Sequence, residues 1–313
     1  MLKIKANNLS SHPLHPLRPL LQLFKWDTWV CLLCSIAVLF LGIGLHLTHH
    51  YPFDWHYFLK ITPLFILFIF IYGVGRWGEN PGACCLARTL SLCLFASLST
   101  TVALHVLPLS PFPLIDHTLS KTDQTLGFNT GLFADAIKQY HPVLNYYSYQ
   151  AYQSLIWLIY FSIFILPWAS TRDHPKDREI ALLFSISFFL GAFICFFLPA
   201  IGPMASYSYW LDSTQNTLLK NIDLLRYKGA SSHLFLGSDI SFPSFHTILA
   251  IFCAWVWRDF KLIFWPVFIL SLAIIFSTLS TGWHYLSDVL SGVLVSFICI
   301  YLTHWILNKN NNK

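Results

Sequence analysis

Apolar residues run along this chain in long stretches that short polar segments separate. A stretch of about 17 to 25 apolar residues is long enough to cross a bilayer as a helix. The pattern therefore predicts an all-α, polytopic integral membrane protein. The predicted spans lie at about 27–48, 57–74, 83–106, 150–170, 179–200, 243–257, 262–280 and 285–307. The second and sixth of these eight spans are short.

Two long connections, 107–149 and 201–242, join the predicted spans. Both are rich in Pro, Asn, Ser, Asp and aromatic residues, a composition typical of structured surface loops. We expect residues 1–149 to form an N-terminal membrane region of three spans and an outer loop. Residues 150–307 would form a second helical bundle of five spans, and 308–313 a polar tail.

Composition excludes an ordinary soluble domain. Of the 313 residues, 56% are hydrophobic and 11% are charged, where a soluble domain has about 25% charged residues. The net charge of +5 comes from Lys and Arg in the connections between the apolar stretches, so it indicates membrane topology. We expect no nucleic-acid partner. Lys and Arg collect on one side, which includes the short loops 171–178 and 258–261. Both termini are therefore predicted to be cytoplasmic, in a bacterial inner membrane or a plasma membrane.

Two polar motifs stand where apolar runs begin, "SFPSFHT" at 241–247 and "STGWHYLSDVLSG" at 280–292. The topology places both at the same depth on the outward side of the membrane. His284 and Asp288 are one helical turn apart and share a face. An ionisable pair at a membrane helix is costly and indicates function.

Two histidines and one carboxylate suit phosphoryl transfer without a metal or another cofactor. His284, oriented by Asp288, can attack phosphorus. His246 can protonate the leaving oxygen and then activate water. Pro243 suits the first helical position, which would leave the N–H groups of Ser244 and Phe245 free to bind a phosphate.

The sequences "PSFH" and "HYLSD" resemble the second and third signature motifs of the type 2 phosphatidic acid phosphatase / vanadium haloperoxidase superfamily. The resemblance covers roughly 150–307 and implies that family's catalytic helical bundle and a membrane lipid phosphate as substrate. It makes His246 the acid, His284 the nucleophile and Asp288 its partner. The longer motifs resemble most the branch that contains inositol phosphorylceramide synthases.

Two cations of the family pattern are absent from the motifs. Gly202-Pro203 stands where the family has Arg-Pro, and Thr278 stands where the third motif has Arg. Arg226 and Lys228 are our candidates to supply the missing charge from the loop. The candidate substrate-binding residues are Ser244, Phe245, Arg226, Lys228 and Thr278.

These features predict a membrane lipid phosphatase that acts on a lipid phosphate or diphosphate through a phosphohistidine, on the periplasmic or exoplasmic side. A phospho-headgroup transferase is the first alternative, because hydrolysis and transfer differ only in what attacks the phosphohistidine. A catalytically inactive lipid-binding or transport protein is the second, because the two cations are missing.

Overall fold

A computed structural model describes residues 26–49, 63, 66, 67, 70, 81–171, 174–207, 211–228 and 241–311. In this part of the chain the regular structure is helical, with no strand. Its helices are α1 (Trp26–His49), α2 (Pro81–Val106), α3 (Asp116–Thr125), α4 (Thr130–Tyr140), α5 (Pro142–Ile165), α6 (Lys176–Phe197), α7 (Ser213–Lys228), α8 (Phe245–Val256), α9 (Lys261–Ser280) and α10 (Leu286–Asn311).

Six of these helices are long and apolar enough to cross a membrane, namely α1, α2, α5, α6, α9 and α10. They confirm the predicted all-α, polytopic class. Helix α8 has 12 residues and is shorter than a usual span. The span predicted at 57–74 lies almost wholly outside the described residues, so the number eight stays a prediction.

The two long connections contain regular helices. The first holds α3, α4 and the start of α5, and the second holds α7. Asn129 caps α4, since its side chain accepts the Leu132 N–H at 3.0 Å. Pro142 begins α5 with a backbone angle that already suits a helix. The predicted boundary between residues 149 and 150 therefore falls inside a helix.

Large apolar side chains stay exposed along one side of several long helices. They recur every three or four residues on α9 and α10, which is the spacing of one helix face. A soluble protein rarely exposes so large an apolar surface, whereas hydrocarbon accepts it. The exposed stripes are Trp265, Ile269, Leu272 and Phe276 on α9, and Leu290, Leu294, Phe297 and Tyr301 on α10.

Buried ion pairs join the helices at the start of α6, where residues 176–179 read Lys-Asp-Arg-Glu and are all buried. Arg88 of α2 pairs with Asp177. The Arg178 Nε lies 2.6 Å from a carboxylate oxygen of Asp27 in α1. Because breaking a buried pair leaves an uncompensated charge, these contacts hold the two N-terminal helices on α6.

Helices α1 and α2 also touch at backbone distance. A Cβ atom built on Gly42 would lie 2.9 Å from the Cα and N atoms of Ala103. Small residues permit such close approach between membrane helices. Gly44 lies on the same helix, and a Cβ atom built on it would have no other atom within 4 Å.

We predict that Gly42→Ala lowers the thermal unfolding temperature in detergent, because the added methyl group meets backbone that cannot rotate away. The cost should be about 1–3 kcal/mol, as for other overpacked sites. Gly44→Ala is the matched control and should leave the unfolding temperature unchanged or slightly higher. Equal unfolding temperatures for the two variants would contradict this packing.

Candidate active site

The two predicted catalytic histidines lie side by side. His246 is in the first turn of α8, and His284 is in the turn that leads into α10. Their ring centroids are 5.9 Å apart, and both side chains line one cavity of about 220 Å³. The chain folds this way because α9 and α10 both pack against α8, and α9 returns the chain to the level at which α8 begins.

The ring of His284 is held from its Nδ1 side. That atom lies 3.0 Å from the carbonyl oxygen of Ser241 and 3.4 Å from Oδ2 of Asp288. A carbonyl oxygen only accepts, so Nδ1 must carry the proton and donate it. In the neutral ring, Nε2 then carries the lone pair and is the candidate nucleophile.

Asp288 also joins the two motifs through the backbone. Its Oδ2 accepts the Tyr285 N–H at 2.9 Å, which caps the start of α10. Its carbonyl oxygen accepts the N–H of Ser244 at 3.1 Å. Gly292 permits this approach, because a Cβ atom there would lie 2.8 Å from the Ser244 carbonyl oxygen.

The start of α8 differs from the prediction. The helix begins at Phe245 with Ser244 as its N-cap, whose side chain accepts the Thr247 N–H at 3.3 Å. Pro243 is therefore not the first helical residue, and the Ser244 N–H is already paired, so both predictions were wrong. The close approach of α10 is the cause. The N–H groups of Phe245 and His246 find no acceptor among the described residues.

The ring of His246 stacks on Tyr152 of α5, with the centroids 3.9 Å apart and the planes at 22°. Trp283 continues this aromatic wall, 6.2 Å from the Tyr152 centroid. Thr100 and Leu104 of α2 line the same cavity, so the N-terminal region contributes to the site. No signal in the sequence distinguishes Tyr152 from the tyrosines that precede it.

Arg226 is engaged away from the histidines. Its guanidinium donates to the carbonyl oxygen of Pro108 at 2.6 Å and to that of Phe112. These bonds tie α7 to the segment between α2 and α3, and Arg226 does not line the histidine cavity. Lys228 ends α7, and its side chain lies outside the described residues.

Thr278 is hydrogen-bonded to the backbone of the turn that carries His284. Its side chain is fully buried and its hydroxyl donates to the Ile275 carbonyl oxygen at 2.7 Å. Its own carbonyl oxygen accepts the N–H groups of Trp283 at 3.2 Å and of His284 at 3.1 Å. Thr278 therefore contacts the backbone of His284 and is not among the residues that line the cavity.

Gly202 stands where the family pattern has Arg, and its backbone requires glycine. Its φ of 121° is in a region that side chains disfavour. A Cβ atom would also lie 3.0 Å from the Trp283 carbonyl oxygen. The segment around Gly202 therefore packs against the turn that carries His284. It does not supply the cationic side chain that the family pattern has at this position.

Asp116 of α3 holds this segment and was not predicted. Its carboxylate accepts the N–H groups of Ile201 at 3.1 Å and Gly202 at 2.8 Å. Burial raises the pKa of Asp116 to about 6, and these two hydrogen bonds oppose the rise. Because the pKa in the folded state is the higher one, ionisation of Asp116 costs stability as the pH rises through about 6.

Tyr285 connects Asp116 to the turn that carries His284. Its side chain is fully buried, and its hydroxyl lies 2.8 Å from the Ser206 Oγ and 3.1 Å from the Gly202 carbonyl oxygen. Burial, and then the nearby Asp116 carboxylate, raise the pKa of Tyr285. The hydroxyl therefore remains a hydrogen-bond donor next to the motif residues.

Fold and site together define a polytopic, all-α membrane protein with a paired-histidine centre. A family model described as the PAP2 superfamily matches residues 117–302. The chain belongs to the PAP2 superfamily, whose members are typically phosphatases or phosphotransferases. This confirms the predicted superfamily, whereas the inositol phosphorylceramide synthase-like branch stays a prediction. No curated protein and no solved structure matches the chain.

Proposed function

We propose that the protein is a membrane lipid phosphatase that removes phosphate from a lipid phosphate or diphosphate through a phosphohistidine. One observation carries the proposal. The Ser241 carbonyl oxygen lies 3.0 Å from the His284 Nδ1, which leaves Nε2 as a nucleophile beside His246 on one cavity wall. This is the arrangement that a nucleophile and a separate acid–base group require.

In the first step, the Nε2 lone pair of His284 attacks phosphorus. A nitrogen–phosphorus bond forms, the phosphorus–oxygen bond to the lipid breaks, and protonated His246 gives its proton to the leaving oxygen. The imidazole ring becomes cationic, and its Nδ1–H faces the Ser241 carbonyl and the Asp288 carboxylate. Both groups stabilise that charge.

In the second step, neutral His246 takes a proton from water, whose oxygen attacks phosphorus. The nitrogen–phosphorus bond breaks, inorganic phosphate leaves and His284 is restored. The N–H groups of Phe245 and His246 are suited to bind the phosphate oxygens in both steps, since helix starts favour anions.

The cavity also suits a lipid. Its wall next to the histidines is formed mainly by apolar side chains, among them Leu104, Phe188, Phe245 and Leu249. An acyl or isoprenyl chain can lie against this wall while the phosphate meets the histidines. The proposed substrate is therefore a phosphate ester of a membrane lipid.

We predict that His284→Ala lowers phosphate release from dioctanoyl phosphatidate by at least about a thousandfold, because the variant has no nucleophile. Brief incubation with the ³²P-labelled lipid should give an acid-labile, base-stable phosphoprotein with the parent protein only. His304→Ala is the control, since His304 is exposed on α10, the helix that follows His284, and bonds to Asn308. Turnover by His284→Ala within a few-fold of the parent would refute the mechanism.

We also predict that activity survives an excess of EDTA. The proposed reaction has an imidazole as nucleophile and a second imidazole as acid, and neither step contains a metal-bound group. The measurement compares the rate of phosphate release before and after dialysis against the chelator. A loss that magnesium or zinc restores would contradict this prediction.

The proposed side of the reaction is periplasmic or exoplasmic, with both termini cytoplasmic. Lys176 and Arg178 lie at the start of α6, and α8 runs from the histidine site towards Arg258. The positive charges therefore stand at the end of these helices that is remote from His246 and His284. Positive charge marks the cytoplasmic side.

Cysteine labelling tests this orientation in a variant that lacks the eight native Cys residues. Lys121→Cys, at an exposed position of α3, should react with a membrane-impermeant maleimide in intact cells or spheroplasts. His174→Cys, at an exposed position before α6, should react only after lysis. The reverse pattern would place the site in the cytoplasm.

A further inference from the structure

Asp123 of α3 accepts hydrogen bonds from the start of α10, the helix that follows His284. Its side chain is fully buried. Oδ2 accepts the N–H of Leu286 at 2.7 Å, and Oδ1 accepts that of Ser287 at 2.9 Å. The hydroxyl of Thr130, the first residue of α4, lies 3.2 Å from Oδ2. The carboxylate therefore binds one helix start and is itself held by another.

These hydrogen bonds complete the cap of α10. The first N–H groups of a helix have no partner within it. Asp288 takes the N–H of Tyr285, and Asp123 takes the next two. The Asp123 carboxylate also suits the positive end of the helix dipole. Three successive N–H groups, directly after His284, are thus fixed by two carboxylates.

We propose that Asp123 is a positioning residue for the nucleophile. It fixes the start of α10, and thereby keeps the Nδ1 of His284 on the Ser241 carbonyl and its Nε2 directed at the substrate. The inference depends on the proposed function only in that His284 is the nucleophile. It adds Asp123, held by Thr130, to the groups that orient the reacting atom.

Asp123 does not line the histidine cavity, which separates its role from substrate binding. Asp123→Asn keeps the shape but replaces one acceptor oxygen with an NH₂ group, which would face a backbone N–H. With dioctanoyl phosphatidate as the probe, kcat should fall about 10- to 100-fold, as for other supporting residues. KM should stay within about threefold, and Asp123→Glu should recover part of kcat because it restores the carboxylate.

A second measurement reports on the ring itself. In protein labelled with ¹⁵N-histidine, the ring signals of His284, assigned with His284→Gln, should show the Nδ1–H tautomer. Asp123→Asn should give a mixture of the two tautomers, since the bond to Ser241 is loosened. This measurement needs no turnover, so it tests the inference even if dioctanoyl phosphatidate is not hydrolysed and the proposed function fails.

Asn129→Ala is the matched control, because the Asn129 side chain caps α4 next to Thr130 and accepts from Leu132 of the same helix. It should lower the unfolding temperature while kcat and the His284 tautomer stay unchanged. If Asp123→Asn does not fold, Thr130→Val, which removes one donor to the carboxylate, should shift the tautomer in the same direction. Parent-like kcat and tautomer in Asp123→Asn, or in Thr130→Val as its replacement, would overturn the proposal.

Discussion

The hydrogen bond between the Ser244 N–H and the Asp288 carbonyl oxygen brings the starts of α8 and α10 into contact. Both imidazoles depend on it, because His246 follows one partner by two residues and His284 precedes the other by four. Gly292 makes the contact possible, since any side chain there would meet the Ser244 carbonyl. Because the Ser244 N–H is used in this contact, only the N–H groups of Phe245 and His246 at the start of α8 have no acceptor among the described residues.

Buried carboxylates around the site accept hydrogen bonds mainly from backbone N–H groups. Asp288 takes one such group, Asp123 takes two and Asp116 takes two. Each carboxylate thereby fixes the loop or helix start that donates to it, which a lysine or arginine could not do because its side chain has no acceptor atom. Ion pairs dominate instead at the start of α6, where Arg178 meets Asp27. Carboxylates that bind backbone N–H groups are thus found at the end with the histidines, and ion pairs at the other end, where α6 begins.

The departures from the superfamily motifs also have physical causes in this arrangement. Gly202 adopts a backbone conformation that arginine would strain, and it packs on the turn before His284. Thr278 is buried beneath that turn and accepts two of its N–H groups. Both positions stabilise the backbone of the turn that carries His284. The apolar cavity, and the two N–H groups at the start of α8 that have no acceptor among the described residues, remain as the features suited to the proposed phosphate ester.

The sequence by itself determined the all-α, polytopic class, because length and apolarity suffice for it. It also predicted His246, His284 and Asp288 as one site. A spacing of four residues predicts that His284 and Asp288 are close in space. Polar residues at the start of apolar runs are costly and therefore indicate a site. Only the tertiary structure decided that the Ser241 carbonyl orients His284, that Tyr152 stacks on His246 and that Asp123 caps α10. A backbone carbonyl has no residue-type signal, and Asp123 is distant in sequence from the helix that it caps. Such contacts depend on how helices pack, which local patterns do not encode.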